Sequence, residues 1–167
     1  KPRAPQVSFL NWVHESKARI KVGILPVALG KSFIAKTLQK SVRASVITCN
    51  NVLVDQYSEG YPNDNILKGR AKYNCHTYSG MSCEAADEIF DGCANCPYKI
   101  CKDRASTGES TVFNPMSLFA LINAKNSAFN TYRPSLTIVD EAHQLPGMLR
   151  LLSSASFSNK DYELPEN

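Results

Sequence analysis

The chain has 167 residues and 18.4 kDa, with 43% hydrophobic residues, 20% charged residues, 8 glycines and 9 prolines, a composition that excludes a disordered or collagen-like chain. The net charge of +4 is mild but uneven: residues 1–43 hold nine Lys and Arg against the single acid Glu15, and the remainder holds ten against fourteen acids. The basic end either faces an anion or is solvated. No apolar run reaches the roughly 18 residues of a membrane span, and Lys1-Pro2-Arg3-Ala4-Pro5 leads into no signal-peptide core, so an intracellular single domain with no membrane partner is expected.

In chain order, Phe9, Trp12 and Val13 recur at helical spacing and are expected in the core. Ile20–Leu25 reads as a short strand, and Lys31–Val42 as a helix with Ile34, Leu38 and Val42 on one face. Between them lies Pro26-Val27-Ala28-Leu29-Gly30-Lys31-Ser32. A strand, a tight loop, Gly-Lys-Ser and a helix is the order a phosphate-binding loop needs, because amides at a helix N-terminus cradle phosphate, the lysine reaches the β/γ oxygens and the serine holds Mg2+. The pattern G-x-x-x-x-G-K-[ST] is incomplete here, since Leu25 stands where its first glycine belongs. Cys49, on the apolar stretch Val46–Cys49, is expected to be plain core.

Five of the six cysteines, Cys75, Cys83, Cys93, Cys96 and Cys101, fall within 27 residues. A local knot containing Cys93-Ala-Asn-Cys96 points to a metal site more than to a disulfide scaffold, because a C-x2-C loop lets two thiolates reach one centre. Spacing alone leaves zinc and an iron–sulfur cluster both open. Cys93 and Cys96 are the firmest pair, Cys75 opens the segment, and Cys83 or Cys101 completes the set. His76 is expected at the surface.

Farther on, the apolar strand Leu136-Thr137-Ile138-Val139 ends in Asp140-Glu141-Ala142-His143. Acids at the end of such a strand lie at the carboxyl edge of an α/β sheet, where ligands bind. In nucleotide-hydrolysing P-loop proteins the first acid supports Mg2+ and a following carboxylate orients or deprotonates the attacking water. The two motifs stand about 110 residues apart, in that order.

With Gly30-Lys31-Ser32, Asp140-Glu141-Ala142-His143 and the cysteine knot between them, residues 3 to about 146 resemble the first motor domain of the DinG/XPD-like iron–sulfur helicases of superfamily 2, the short phage and bacterial members above all. Arg3-Ala4-Pro5-Gln6 resembles the adenine-recognising segment, and Thr48–Tyr57 the early DNA-contacting motif. Leu67-Lys68-Gly69-Arg70-Ala71-Lys72-Tyr73-Asn74-Cys75, Cys96-Pro97-Tyr98-Lys99 and Phe113-Asn114-Pro115-Met116-Ser117-Leu118 resemble further family segments.

The resemblance implies an α/β fold, a RecA-like P-loop parallel sheet with a small cysteine-rich iron–sulfur insertion. Residues 1–66 would form the first part with the nucleotide loop, 67–105 the insertion, and 106–167 the remainder with the DEAH motif. It implies an ATP-dependent DNA helicase of the cytoplasm of a bacterium or phage-infected cell, acting on single-stranded or forked DNA. Gly30, Lys31 and Ser32 would take ATP and Mg2+, Asp140 the metal shell, Glu141 the water, His143 the coupling to DNA, and Gln6 and Arg3 the adenine. A [4Fe-4S] cluster is favoured, on Cys75, Cys83, Cys93 and Cys96, with Cys101 the alternative fourth ligand.

Two departures qualify this. Ala28 replaces the central glycine of the family loop, which costs on the order of 1 kcal/mol if that position needs positive φ. Nothing in the chain resembles the second RecA-like domain, so a fragment with weak or no hydrolysis on its own is expected. DNA contacts are expected from Lys68, Arg70, Lys72 and Tyr73 on one side of the cysteines and Tyr98, Lys99, Lys102 and Arg104 on the other, cations for phosphates and rings for bases. The alternative is a noncatalytic zinc- or cluster-bearing DNA-binding module with a degenerate nucleotide loop.

Overall fold

A computed structural model describes residues 2–26, 28–61, 63–87, 95–107, 110–124 and 128–153. Four strands, β1 (Ala44–Thr48), β2 (Asn65–Leu67), β3 (Thr111–Phe113) and β4 (Leu136–Asp140), form one all-parallel sheet in the order β2-β3-β1-β4. The described helices are α1 (Ala4–Glu15), α2 (Lys31–Ser41), α3 (Asn51–Gly60), α4 (Cys83–Asp87), α5 (Pro97–Ser106), α6 (Pro115–Asn123) and α7 (Leu145–Ser153). The fold is therefore α/β with an all-parallel sheet, the coarse class that the resemblance implied.

Strand periodicity explains the two cores. Val46 lies level with Val112 on one side and Ile138 on the other, and Ile66 with Val112, so these side chains share a face. That face packs with Val54 and Tyr57 of α3. One residue on, Leu67 and Phe113 point the opposite way and pack with Ala105 of α5, Leu121 of α6 and Phe129. Helices α3 and α6 begin just beyond the carboxyl ends of β1 and β3. Asn50 and Asn114 cap them, accepting from the amides of Val52 and Met116, both at 2.8 Å.

Three sequence expectations are corrected. Ile20–Leu25 is not a strand: Ile20, Val22 and Ile24 are 79%, 78% and 95% exposed and enter no ladder. A parallel strand exists only through its neighbours, and among the described residues β4 pairs with β1 alone. Trp12 is 42% exposed rather than core, because α1 buries Gln6; the indole packs on the Phe9 ring at 5.4 Å. Val42 is also exposed. The buried face of α2 is Ile34, Ala35, Lys36 and Gln39. Cys49 is buried as expected, and the helix predicted from Lys31 begins there.

Lys36 is the buried cation of the interior. Its amine, whose pKa burial and then Lys40 pull down to about 8, stays protonated at neutral pH and forms an ion pair with Asp64. It also donates to Gln39 Oε1 at 2.6 Å and lies 4.9 Å from the Tyr61 ring centre.

Candidate functional site

The loop before α2 turns on two residues of positive φ, Ala28 (65°) and Gly30 (86°). Gly30 is required twice over: its backbone is left-handed, and a Cβ there would stand 2.7 Å from Gln6 Nε2. Ala28 carries the Cβ that such a backbone disfavours, so the cost anticipated from the sequence does fall on this position. Lys31 and Ser32 then open α2, with their amides in the first turn, where an α-helix leaves its donors unpaired and its dipole positive.

The end of β4 comes to the same place. Lys31 Nζ lies 2.8 Å from Glu141 Oε1, and Glu141 Oε2 is 3.3 Å from His143 Nδ1. Glu141 itself has left-handed φ (54°), a strained turn straight off the strand that swings its carboxylate toward α2. Its amide donates to Asp140 Oδ1 at 3.0 Å. The hydrogen bond with Lys31 holds the Glu141 carboxyl below its usual range, and the same bond raises the Lys31 amine. Asp140, only 8% exposed, is pushed the other way, by burial first and by the Glu141 charge second. Two adjacent carboxylates beside a serine hydroxyl and a single nearby ammonium make a donor set that fits a hard divalent cation bound through oxygen.

On the far side of the loop, Arg3 and Gln6 grip the backbone. Arg3 Nη1 donates to Ala28 O at 3.0 Å, and Gln6 Nε2 to Leu29 O at 2.7 Å. Gln6 Oε1 accepts from the Arg3 amide at 2.7 Å, which satisfies the N-cap amide at the start of α1. Pro2, Arg3, Gln6, Ala28–Gly30 and Phe33 line an open pocket of about 250 Å³. Its apolar floor and amide rim suit a planar heterocycle with hydrogen-bonding edges.

The cysteine lobe is built from a short hairpin and the start of α5. Cys75 N donates to Met81 O at 2.8 Å and Cys83 N to Tyr73 O at 2.7 Å, flanking the Asn74–Ser82 bridge. Cys83 and Cys96 are brought together, Sγ to Sγ 3.4 Å, both buried. Two thiolates on one tetrahedral zinc with bonds of about 2.3 Å stand about 3.8 Å apart, so this pair is near the spacing of a shared centre. Burial and then Cys96 raise the Cys83 thiol. Burial acts likewise on Cys96, but the Lys99 amide, Cys83 and the Tyr98 amide outweigh it and hold that thiol low. Buried Cys75 accepts from the Tyr78 amide at 3.3 Å, whereas Cys101 packs against the second core cluster. Cys93 lies outside the described residues. Among the described residues, no group of three or more His, Cys, Asp or Glu is placed to hold a metal ion.

Tyr73 and Tyr98, the aromatic residues expected to stack on bases, are half-buried and make contacts within the fold. Tyr73 donates to Ile66 O at 2.9 Å, accepts from the Lys68 amide at 3.1 Å, and meets Tyr98 edge-on at 5.6 Å. Tyr98 also packs on the second core, with the Arg70 guanidinium 5.7 Å from its ring centre. Lys68 pairs with Asp55 of α3 at 2.8 Å, beside a small cleft that Asn51, Gly69, Lys72 and Asn114 also line. Asn114 Nδ2 donates to Asn51 Oδ1 at 2.7 Å, tying the two helix starts together.

Sequence reasoning missed Tyr57. Its hydroxyl lies beside Ser32 and Asp140, although its ring belongs to the core. The signal was present as Val54 and Tyr57 three apart on α3, which sends both toward the sheet. No helix among the described residues is long and apolar enough to cross a membrane. No protein-family model, curated protein or solved structure matches the chain.

Proposed function

We propose that this chain is the RecA-like first motor domain of a DinG/XPD-like iron–sulfur helicase, which binds ATP with Mg2+ and uses its hydrolysis to move on single-stranded or forked DNA. The observation that carries this reading is the 2.8 Å contact between Lys31 and Glu141, which joins the Gly-Lys-Ser helix start to the Asp-Glu-Ala-His strand end across about 110 residues. Order in the sequence alone does not require such a meeting.

In this reading Lys31 exchanges Glu141 for a phosphate oxygen when ATP binds. Losing the ammonium lets the Glu141 carboxyl rise toward its ordinary pKa, so the side chain becomes a better base for the attacking water as the substrate arrives. Ser32 and Asp140 would hold Mg2+, which when bound supplies the positive charge that phosphate oxygens and the two acids need. Arg3 and Gln6 would read the adenine edge from the pocket beside the loop. His143, 3.3 Å from Glu141, would pass a change at the carboxylate outward. Cys75, Cys83, Cys93 and Cys96 would hold a [4Fe-4S] cluster, which supplies a rigid staple between the hairpin and α5. Lys68, Lys72, Asn51 and Asn114 would receive strand phosphates.

The left-handed Ala28 favours the second reading, a noncatalytic zinc- or cluster-bearing module whose loop no longer binds nucleotide. Titration with a fluorescent ADP analogue in Mg2+ separates the two. The motor reading expects binding that Lys31→Ala weakens about tenfold or more, since a charge-assisted contact is lost. Absent binding, or binding that ignores the substitution, overturns it.

A further inference from the structure

Tyr57 is 2% exposed, and its hydroxyl has no hydrogen-bond partner among the described residues. Buried tyrosine hydroxyls are rarely left so, because phenylalanine would fill the same space without stripping a polar group of water. The other buried side chains with an orphaned atom are engaged elsewhere. Gln39 accepts from Lys36, Asp64 pairs with Lys36, Asn65 donates to Thr111 and to Cys101 O, and the Arg70 guanidinium lies 5.7 Å from the Tyr98 ring centre. Tyr57 has a single polar atom, and it points at Ser32 and Asp140 without reaching hydrogen-bond geometry to either.

We infer that Tyr57 is a positioning residue of the magnesium and nucleotide site, its hydroxyl reserved for Asp140 and Ser32 in their ligand-bound arrangement. The inference rests on the motor reading above and adds to it a residue from α3. A phenol hydroxyl carries its proton at neutral pH, so it can act as a donor. A donor there fixes which Asp140 lone pairs remain for a cation. It also ties α3 to the site: the same helix carries Asn51 and Asp55 at the Lys68 cleft, so a strand seated in that cleft and a cation on Asp140 would both bear on one rigid element.

The test is Tyr57→Phe, compared with the unsubstituted chain and with Lys31→Ala. Three readouts are taken: thermal midpoint without metal or nucleotide, affinity for a fluorescent ADP analogue in EDTA, and the same affinity in Mg2+. The expected result is a midpoint unchanged or raised, an unchanged affinity in EDTA, and loss of about 5- to 20-fold of the tightening that Mg2+ brings. A lowered midpoint would overturn the inference, since the hydroxyl would then be serving the ligand-free fold. Full Mg2+ tightening in Tyr57→Phe would also overturn it, while leaving the motor reading standing if Lys31→Ala still weakens binding about tenfold or more. Absence of Mg2+-dependent binding in the unsubstituted chain would remove both.

Discussion

The carboxyl edge of the sheet and the cysteine lobe reach their chemistry by different routes. At the edge, Lys31, Asp140 and Glu141 are delivered by α2 and β4, elements that the sheet itself positions, and their charges largely answer one another. In the lobe, Cys75, Cys83 and Cys96 hang on a single bridge and the first turn of a helix, and only Cys83 and Cys96 meet. A site on a packed scaffold is organised before its ligand arrives, whereas a site on a small loop draws its order from the ligand. The difference teaches where each region should break.

The largest effect is expected at the edge. Glu141→Gln should leave nucleotide binding intact and lower hydrolysis by about 100- to 10,000-fold in any form of the protein that turns over ATP, as measured by phosphate release. Turnover near the unsubstituted rate would detach Glu141 from the water. In the lobe, the proposed cluster would make Cys96→Ser or chelation remove iron and sulfide and open residues near Cys75 to protease, with nucleotide binding nearly unchanged. Loss of nucleotide binding together with the metal would erase the contrast between the two regions.

Smaller effects sharpen the contrast by testing how well the edge is paid for internally. Asp64→Asn strands the buried Lys36 ammonium and should cost about 3 kcal/mol in chemical denaturation, most of it restored in the double variant with Lys36→Met. Ala28→Gly relieves a left-handed Cβ worth about 1 kcal/mol and should tighten nucleotide binding about fivefold if the loop must keep that backbone.

Proton linkage gives the smallest effect, with opposite signs at neighbouring acids. The Asp140 carboxyl is raised in the folded state, so it costs stability at neutral pH, and that cost fades as pH falls through the raised value. The depressed Glu141 contributes stability above the ordinary carboxylate range, which is lost as pH falls through its lower folded value. Asp140→Asn should therefore raise the melting temperature at pH 7 and flatten its rise on mild acidification. A midpoint that drops at pH 7 would mean that Asp140 is satisfied in the fold.

Much of this was legible in the sequence because it depends on local pattern. The apolar run before Asp140 became β4, Lys31 opened α2, and Cys49 went to the core. Ile20–Leu25 misled because an alternating apolar run states only a readiness to pair, and the ladder partner is a property of the sheet. Trp12 misled for a related reason: helical spacing does not say which face the rest of the molecule leaves open.

By itself the sequence determined which groups could do chemistry: the loop with its misplaced Ala28, the paired acids, the clustered thiols and the basic first quarter. Only the tertiary structure decided which of them meet. It set Lys31 against Glu141, joined Cys83 to Cys96, sent Cys101 to the core, and aimed the Tyr57 hydroxyl at Asp140. Side-chain identity is written residue by residue, but distance between residues far apart in the chain is fixed by strand order and helix packing, which no local window contains.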